Sequence, residues 1–528
     1  MKTLYQSLFK YNESSITALY FENKKYSFKQ LLINIRKMVS YLKEKGIKKG
    51  DVVTVVLPNI PVTVYLFYAL DAIGAIQNIV HPLTPINQII NTMEETNSEH
   101  AIVLETLYKE HKEVFENSSY SFFFANPMFD KSLLMRNAFY IKFKKVKENK
   151  HLFSLDKFRK CEEINQIEHR NAFEDSIYLH SGGTTGTPKV IALSDNAINN
   201  LAAKVDGIIP SKIKGKSMLA VLPSFHGFGL GMGIHAPLFN HAASALMIKF
   251  SSKKVIKWIN QNKVNLIIGV PLLYQKLMKD ETFIKSKLAN LEYCFVGGDN
   301  VSPTLIEQFN ALMKENESTA MLLEGYGLTE TVTVCNVNTK ENFKIKSVGK
   351  PLNDITIKIF DEVLNELKAN EIGEVFVHSN TIMNGYLKDE NATKTTLIDI
   401  NGDKYVKTGD LGYLDEDGFL FLKGRMKRVF KISGINVYPS EVEKIATELD
   451  SVYDASLEYF DNGKPHLVLF IIKNYNETKD ESIIKEEIMK VLNEKVFKYA
   501  LPSKIIFLKD FPKTNVGKID HKAFKEEM

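Results

Sequence analysis

Residues 180–190 read HSGGTTGTPKV, placing three glycines, three threonines, a serine and a lysine behind the apolar run SIYL. Backbone N–H groups of a glycine-rich turn converge on phosphate oxygens because no Cβ blocks the approach. The hydroxyls of Ser181, Thr184, Thr185 and Thr187 add donors, and Lys189 adds a charge. An exposed polar loop has the same composition, so this stretch alone leaves both readings open. It does not spell GxxxxGK[ST]; the nearest imitation, PSKIKGKS, has Pro210 at the first glycine. GFGLGMG, at 227–233, likewise fails the GxGxxG spacing of a dinucleotide site.

Four later stretches carry residue types of the same chemistry. In EGYGLTET (324–331), Tyr326 between two glycines offers a flat ring for stacking on a base, or is a core tyrosine at a strand end. Glu330 there is a hard oxygen ligand of the kind Mg²⁺ prefers. In YVKTGDLGYLDEDG, Asp410 has two acceptor oxygens for a ribose diol, although an Asp after a glycine also simply forms turns. GRMKRVFKISGINVYP sets Arg425, Lys427 and Lys431 among small residues, and FPKTNVGKID puts Lys518 after a glycine near the C-terminus.

The elements between these stretches predict a layered α/β fold. SFKQLLINIRKMVSYLKEKG has one apolar helical face and a closing Gly46; DVVTVVLP reads as a buried strand, and Pro61 suits the first turn of the next helix. KVNLIIGV, EYCFVGG and MLLEGYG are strands ending in glycines, where open α/β sheets hold their ligands. Beyond about Asn336 come short strands, ITIKIF, GEVFVHS and FLFLKG, with DEDG as a turn. From about Val429 an α+β unit follows, in which Ser440 and Glu443 form an S-x-x-E capping box and DESIIKEEIMKVLNEKVF an amphipathic helix. GRMKR marks the junction of a large part and a small one.

At 528 residues the chain exceeds one ordinary core. A net charge of +5 from 68 basic and 63 acidic side chains gives no reason to expect nucleic acid as a partner. Cys161, Cys294 and Cys335 form no CxxC pair, which favours a reduced, cytoplasmic setting. MKTLYQSLFKYNESS lacks the apolar core of a secretory signal. Ser217–Ile248 has no Asp, Glu, Lys or Arg, but Pro223, Pro237, three histidines and a glycine run point to buried protein interior or a cavity wall, and no integral membrane segment is expected.

Taken in order, HSGGTTGTPK, LPSFHGFG, FVGGDNVSP, EGYGLTET, TGDLGYLDEDG, GRMKR, SGINVYPSEVE and PKTNVGKID resemble the adenylate-forming superfamily of acyl-CoA synthetases, carrier-protein adenylation domains and luciferases over essentially the whole chain. KKGDVV…LPN and GAIQNIVHPLTP extend the resemblance to the N-terminal part. It implies a large N-terminal domain of layered α/β sheets plus a β-barrel-like subdomain (1–424), a hinge (425–428) and a small mobile α+β domain (429–528). Residues Ser181, Gly182, Gly183, Thr184, Thr185, Gly186, Thr187 and Lys189 would hold the β- and γ-phosphates of ATP. Gly298, Asp299, Glu324, Gly325, Tyr326 and Gly327 would line the adenine, with Thr329 near the α-phosphate. Glu330 would reach Mg²⁺, and Asp410 and Arg425 the ribose. Lys518 would serve acyl-adenylate formation; Lys431, Ser433 and Gly434 would face the acceptor thiol of CoA once the small domain turns.

The same resemblance implies activation of a carboxylic acid to an acyl-adenylate with release of pyrophosphate, then acyl transfer to CoA. Loading of an acyl carrier protein's phosphopantetheine, and a silent adenylate-binding regulator, are the other readings; the joint presence of Lys518, Glu330, Asp410 and Arg425 argues against the silent one. Relatives that take α-amino acids place an Asp after the aromatic of the LPSFH-like segment. Here His226 stands there, as a gate or orienter at the acid or as a core histidine, so a fatty or other hydrophobic acid is expected. Glycines 227, 229, 231 and 233 either leave room for a tunnel walled by Leu230, Met232, Val332 and Val334 or allow close packing. The chain departs from the family in Leu179–His180–Ser181 with its doubled glycine, in LSDNAI, in Lys513 and in His521.

Overall fold

A computed structural model of the protein describes residues 2–527, except 129–138, 144, 165–167, 169, 182–188, 210–212, 433–434, 462–464, 475–476, 514–518 and the side chains of 431, 435, 436, 465 and 527. Helix Phe28–Glu44 opens with a reciprocal Ser27–Gln30 capping box and ends before Gly46, whose φ of +93° lies in the left-handed region. Strand Val52–Val56 follows, then helix Pro61–Ile73, apolar nearly all round and buried on every side; its one charged residue, Asp71, is paired with buried Arg170.

Two large sheets share one apolar core. The first runs, in spatial order, Gly385–Tyr386, Val190–Ser194, Asp175–His180, Ile76–Ile79, Val52–Val56, His100–Leu104, Ser121–Ala125, Leu152–Ser154. It is parallel from Asp175–His180 onward. The second runs Lys350–Pro351, Val334–Val337, Leu322–Gly327, Tyr293–Val296, Leu266–Gly269, Ser217–Ala220, Ala243–Leu246, Thr17–Phe21, Lys24–Ser27, parallel except at its ends. The order of strands turns back at Val52–Val56 in the first sheet and, within the second, at Ser217–Ala220, the kind of place where such sheets open a crevice. A third, antiparallel sheet of Ile355–Phe360, Gly373–Ser379, Asp403–Leu414, Leu397–Ile400 and Leu420–Arg425 forms an open half-barrel. The layered α/β architecture expected from the sequence is therefore present. Among the described residues no helix is long and apolar enough to cross a membrane, and Ser217–Ile248 folds as buried strands and helical turns.

After Arg425 a 3₁₀ turn, Met426–Arg428, leads to a two-stranded sheet, Phe430–Ile432 with Ile435–Val437, and a three-stranded one, Val452–Asp461, Pro465–Lys473 and Lys504–Leu508. Helices Pro439–Thr447 and Glu481–Lys495 cover them, and their apolar clusters draw only on residues from 430 onward. The expected capping box is absent. Ser440 Oγ donates to the carbonyl of Lys423, and Glu443 is buried, accepting from Arg428 at 2.7 Å and from the Leu457 N–H. Pro439 at the first turn starts the helix instead.

Candidate active site

The two reversal points meet. Asn59, just past Val52–Val56, donates to the carbonyls of Ala220 and Leu222 and accepts the Ser224 N–H at 3.1 Å. It thereby clamps LPSFH, the segment leaving the reversal strand of the other sheet. Around this joint opens a cavity of about 2290 Å³. Ser181, Lys189, His226, Gly298, Asp299, Glu324, Gly325, Tyr326, Gly327, Thr329, Glu330, Asp410 and Arg425 all line it. Residues 182–187, Lys518, Ser433, Gly434 and the Lys431 side chain lie outside the described residues.

One end of the cavity is polar. Tyr326 donates to Asp410 Oδ2 at 2.5 Å, and Arg425 Nε pairs with Oδ1 at 2.8 Å. Asp410 and Arg425 face each other across antiparallel strands, and Arg425 also reaches the Thr408 carbonyl. Burial, then the Asp410 charge, holds the Tyr326 hydroxyl well above its ordinary range, so it stays a donor. Glu330 accepts from Tyr386 at 2.9 Å, and Lys189 Nζ sits 4.5 Å from the centre of the Tyr386 ring. The glycine-rich stretch does not precede a helix: Ser181 and Lys189 exchange two hydrogen bonds at 2.8 Å and join antiparallel strands. His180, at its root, hydrogen-bonds Asn78 Oδ1 at 2.7 Å, and burial pulls its pKa down to about 4, keeping the ring neutral.

Thr329–Thr331 forms a 3₁₀ turn, after which Val332 adopts φ +63° and ψ −56° with a Thr333 N–H bond to the Thr331 carbonyl. This γ-turn is strained for a β-branched residue. It turns two carbonyls onto glycines: a Cβ on Gly227 would lie 1.7 Å from the Val332 oxygen, and one on Gly327 1.5 Å from the Thr333 oxygen. The glycine run thus serves close packing. Gly231 and Gly233 stand away from the cavity wall, and so does Leu230, a plain core residue, whereas Met232, Val332 and Val334 do line it. The other end of the cavity is accordingly apolar, with Ile79, Val80, Ile208, Phe225, Met232 and Ile268 in its wall. No acidic side chain follows Phe225, and an ammonium there would go unpaired.

The C-terminal unit closes the polar end. Glu324 is 8 % exposed, and burial raises its carboxyl to about 7 against the opposing effect of Lys444 on helix Pro439–Thr447. Asp454 is likewise pushed up to about 7, first by burial and next by Asp299. Lys513 and Ile519, which flank the Lys518 stretch and bridge each other, line the cavity, as does His521, bonded to Glu458 at 2.7 Å.

Residues 10–387 match the family model described as AMP-binding enzyme. The chain belongs to the AMP-binding enzyme family. Among curated AMP-binding relatives it is 27 % identical to the long-chain-fatty-acid–CoA ligase of Bacillus subtilis, covering 97 % of this chain and 91 % of that one. It is 28 % identical to a probable 4-coumarate–CoA ligase of Dictyostelium discoideum, covering 95 % and 90 %. An anthranilate CoA ligase in complex with anthranoyl-AMP shares the fold, with a TM-score of 0.85 at 20 % identity over 100 % of this chain and 97 % of the other. Sequence reasoning missed Tyr386, whose GYLKD context looks like any turn, and Asn59, whose partners lie more than 160 residues away. The strand-end placement of both was the available signal.

Proposed function

We propose that this AMP-binding enzyme activates a hydrophobic carboxylic acid with ATP, releases pyrophosphate and transfers the acyl group to the thiol of CoA. The observation that carries the reading is the single cavity whose polar end holds Tyr326, Asp410, Arg425 and Glu330 and whose other end is apolar. The names of the curated relatives, ligases of fatty acids and of coumarate with CoA, support the reaction class.

Adenine would lie along Gly298, Asp299 and Glu324–Gly327, and the ribose hydroxyls against Asp410 and Arg425. Lys189, with residues 182–187, would take the β- and γ-phosphates. Mg²⁺ binds through one or two carboxylates plus phosphate oxygens; Glu330, a lone carboxylate oriented by Tyr386, fits an ion carried on the triphosphate, which supplies charge compensation for the leaving pyrophosphate. Thr329 would contact the α-phosphate while Lys518 holds the acid carboxylate beside it, overcoming anion repulsion by orientation and charge. A carboxylate oxygen then bonds to the α-phosphorus as the bond to pyrophosphate breaks. In the second step the thiol sulfur bonds to the acyl carbon, and AMP leaves. Residues 429–528 would act as a mobile domain on the 425–428 hinge, exchanging Lys518 for Lys431, Ser433 and Gly434 between steps. His226 would gate the acid's entry.

The test is product analysis with ATP, Mg²⁺, an acid panel and either CoA or a phosphopantetheinyl carrier protein. AMP, pyrophosphate and acyl-CoA from apolar acids are expected; acylation of the carrier protein alone would replace CoA as acceptor, and ADP as product would overturn the reading.

A further inference from the structure

His81 lines the cavity; it lies in the GAIQNIVHPLTP stretch, whose sequence alone assigns this residue no role. It follows strand Ile76–Ile79, which pairs in parallel with Asp175–His180 in the register Asn78↔Tyr178. The strands end at Ile79 and His180, so His81 and Ser181 both leave the sheet at the carboxyl ends of neighbouring parallel strands. The His81 ring centre lies 4.4 Å from that of Phe225, itself 4.3 Å from His226. His81, Ser181, Phe225 and His226 all line the cavity. The position is rigid: Pro82 restricts the backbone of His81, and the Thr84 N–H closes a turn on the His81 carbonyl.

The chemistry of the ring is fixed by the same turn. Leu83 N–H donates to His81 Nδ1 at 2.9 Å, so Nδ1 is the unprotonated nitrogen and Nε2 carries the proton. Burial lowers the pKa of the ring, which keeps it in this neutral form near pH 7. Nε2, the nitrogen that the turn does not use, is therefore an N–H donor on a ring that lines the cavity. A carboxylate about to attack an α-phosphate needs such a partner. A neutral donor fixes one oxygen and leaves the other for the attack, complementing the charge that Lys518 would bring.

We propose that His81 Nε2–H binds the carboxylate of the acid substrate and orients it for attack. This rests on the adenylation reading above, because it takes the occupant of the cavity to be that acid. His81 keeps its proton throughout; it donates a hydrogen bond to one carboxylate oxygen and takes no part in bond making.

The experiment compares wild type, His81→Phe, which keeps a ring without the donor, and His81→Gln, which keeps a donor. In pyrophosphate–ATP exchange, His81→Phe should raise the KM for the acid about tenfold or more, the scale of one hydrogen bond to a charged group. The KM for ATP should move less than about twofold, and His81→Gln should recover most of the loss. An unchanged acid KM in His81→Phe, an equal rise in both KM values, or a His81→Gln variant as impaired as His81→Phe would each overturn the proposal. Direct binding of a medium-chain carboxylate and of its matched primary alcohol separates this from the adenylation reading. Wild type should prefer the carboxylate and His81→Phe should lose that preference, even if no acid supports exchange.

Discussion

The two ends of the cavity are built by opposite means. The polar end is assembled from single contacts between distant segments: Tyr326 with Asp410 across 84 residues, Glu330 with Tyr386 across 56. The apolar end is shaped by volume and close approach, with Gly227 packed on the Val332 carbonyl and aliphatic side chains filling the wall. A polar pair is specific in geometry and indifferent to the rest of the ligand, whereas a packed wall reads ligand shape. The account therefore assigns nucleotide affinity to one end and the choice of acid to the other, and substitutions should separate accordingly.

The sharpest separation is expected at Lys518. Lys518→Ala should lower adenylation by about 10²–10³-fold, the scale of one preorganised charge-stabilising group. Thioester formation from supplied acyl-adenylate should stay near wild type, and equal loss in both half-reactions would break the division of roles. Next comes Asp410→Asn, which removes the charge shared by Tyr326 and Arg425. At about 1.5–3 kcal/mol for a charged hydrogen bond, the KM for ATP should rise roughly 10–100-fold while the KM for the acid holds. A matching shift in the acid would mean that the ends are not independent.

Val332→Gly probes the apolar end. Introducing glycine ordinarily costs about 0.5–1 kcal/mol, and truncating a buried side chain such as Val332 costs about 2–5 kcal/mol. Relief of the positive φ should offset part of this, so the melting temperature should fall less than for Val334→Gly, a wall residue without that φ. Acids with bulkier chains should gain in kcat/KM, with ATP unaffected. An equal or larger loss in Val332→Gly than in Val334→Gly would show that the turn is not strained as described.

The smallest effect is on pH. Glu324 and Asp454 both have folded-state pKa values of about 7, above their ordinary 4.5 and 3.8. Groups raised in this way support the fold fully below their unfolded pKa and lose that support as pH rises through the folded value. Stability should fall by roughly 1–3 kcal/mol between pH 4.5 and 8, and Glu324→Gln with Asp454→Asn should flatten the profile. Glu324 and Asp454 both line the cavity; a profile unchanged in the double variant would contradict the assignment.

Much of this was legible in the chain. Strands ending in glycine told where the cavity would open, because backbone pattern and turn chemistry are local properties; Glu324, Tyr326 and Asp410 came with them. Side-chain partnerships across the sequence did not announce themselves. Ser440 and Glu443 have capping-box spacing, yet tertiary contacts with Lys423 and Arg428 claimed both side chains. Glycines 227–233 were compatible with a tunnel or with close packing, and the carbonyl 1.7 Å from where a Cβ on Gly227 would stand favours packing there. His81 sits in an ordinary turn and Tyr386 in a two-residue edge strand, and both acquire meaning only from what folds against them.

The central claim is that one chamber brings an apolar carboxylate to the α-phosphate of ATP. Exchange of labelled pyrophosphate into ATP measures this without reference to any acceptor. The account predicts exchange that appears only when an apolar carboxylic acid is supplied and stays at background with free α-amino acids. Exchange at the same rate without any acid, or none with any acid of a broad panel, would contradict it.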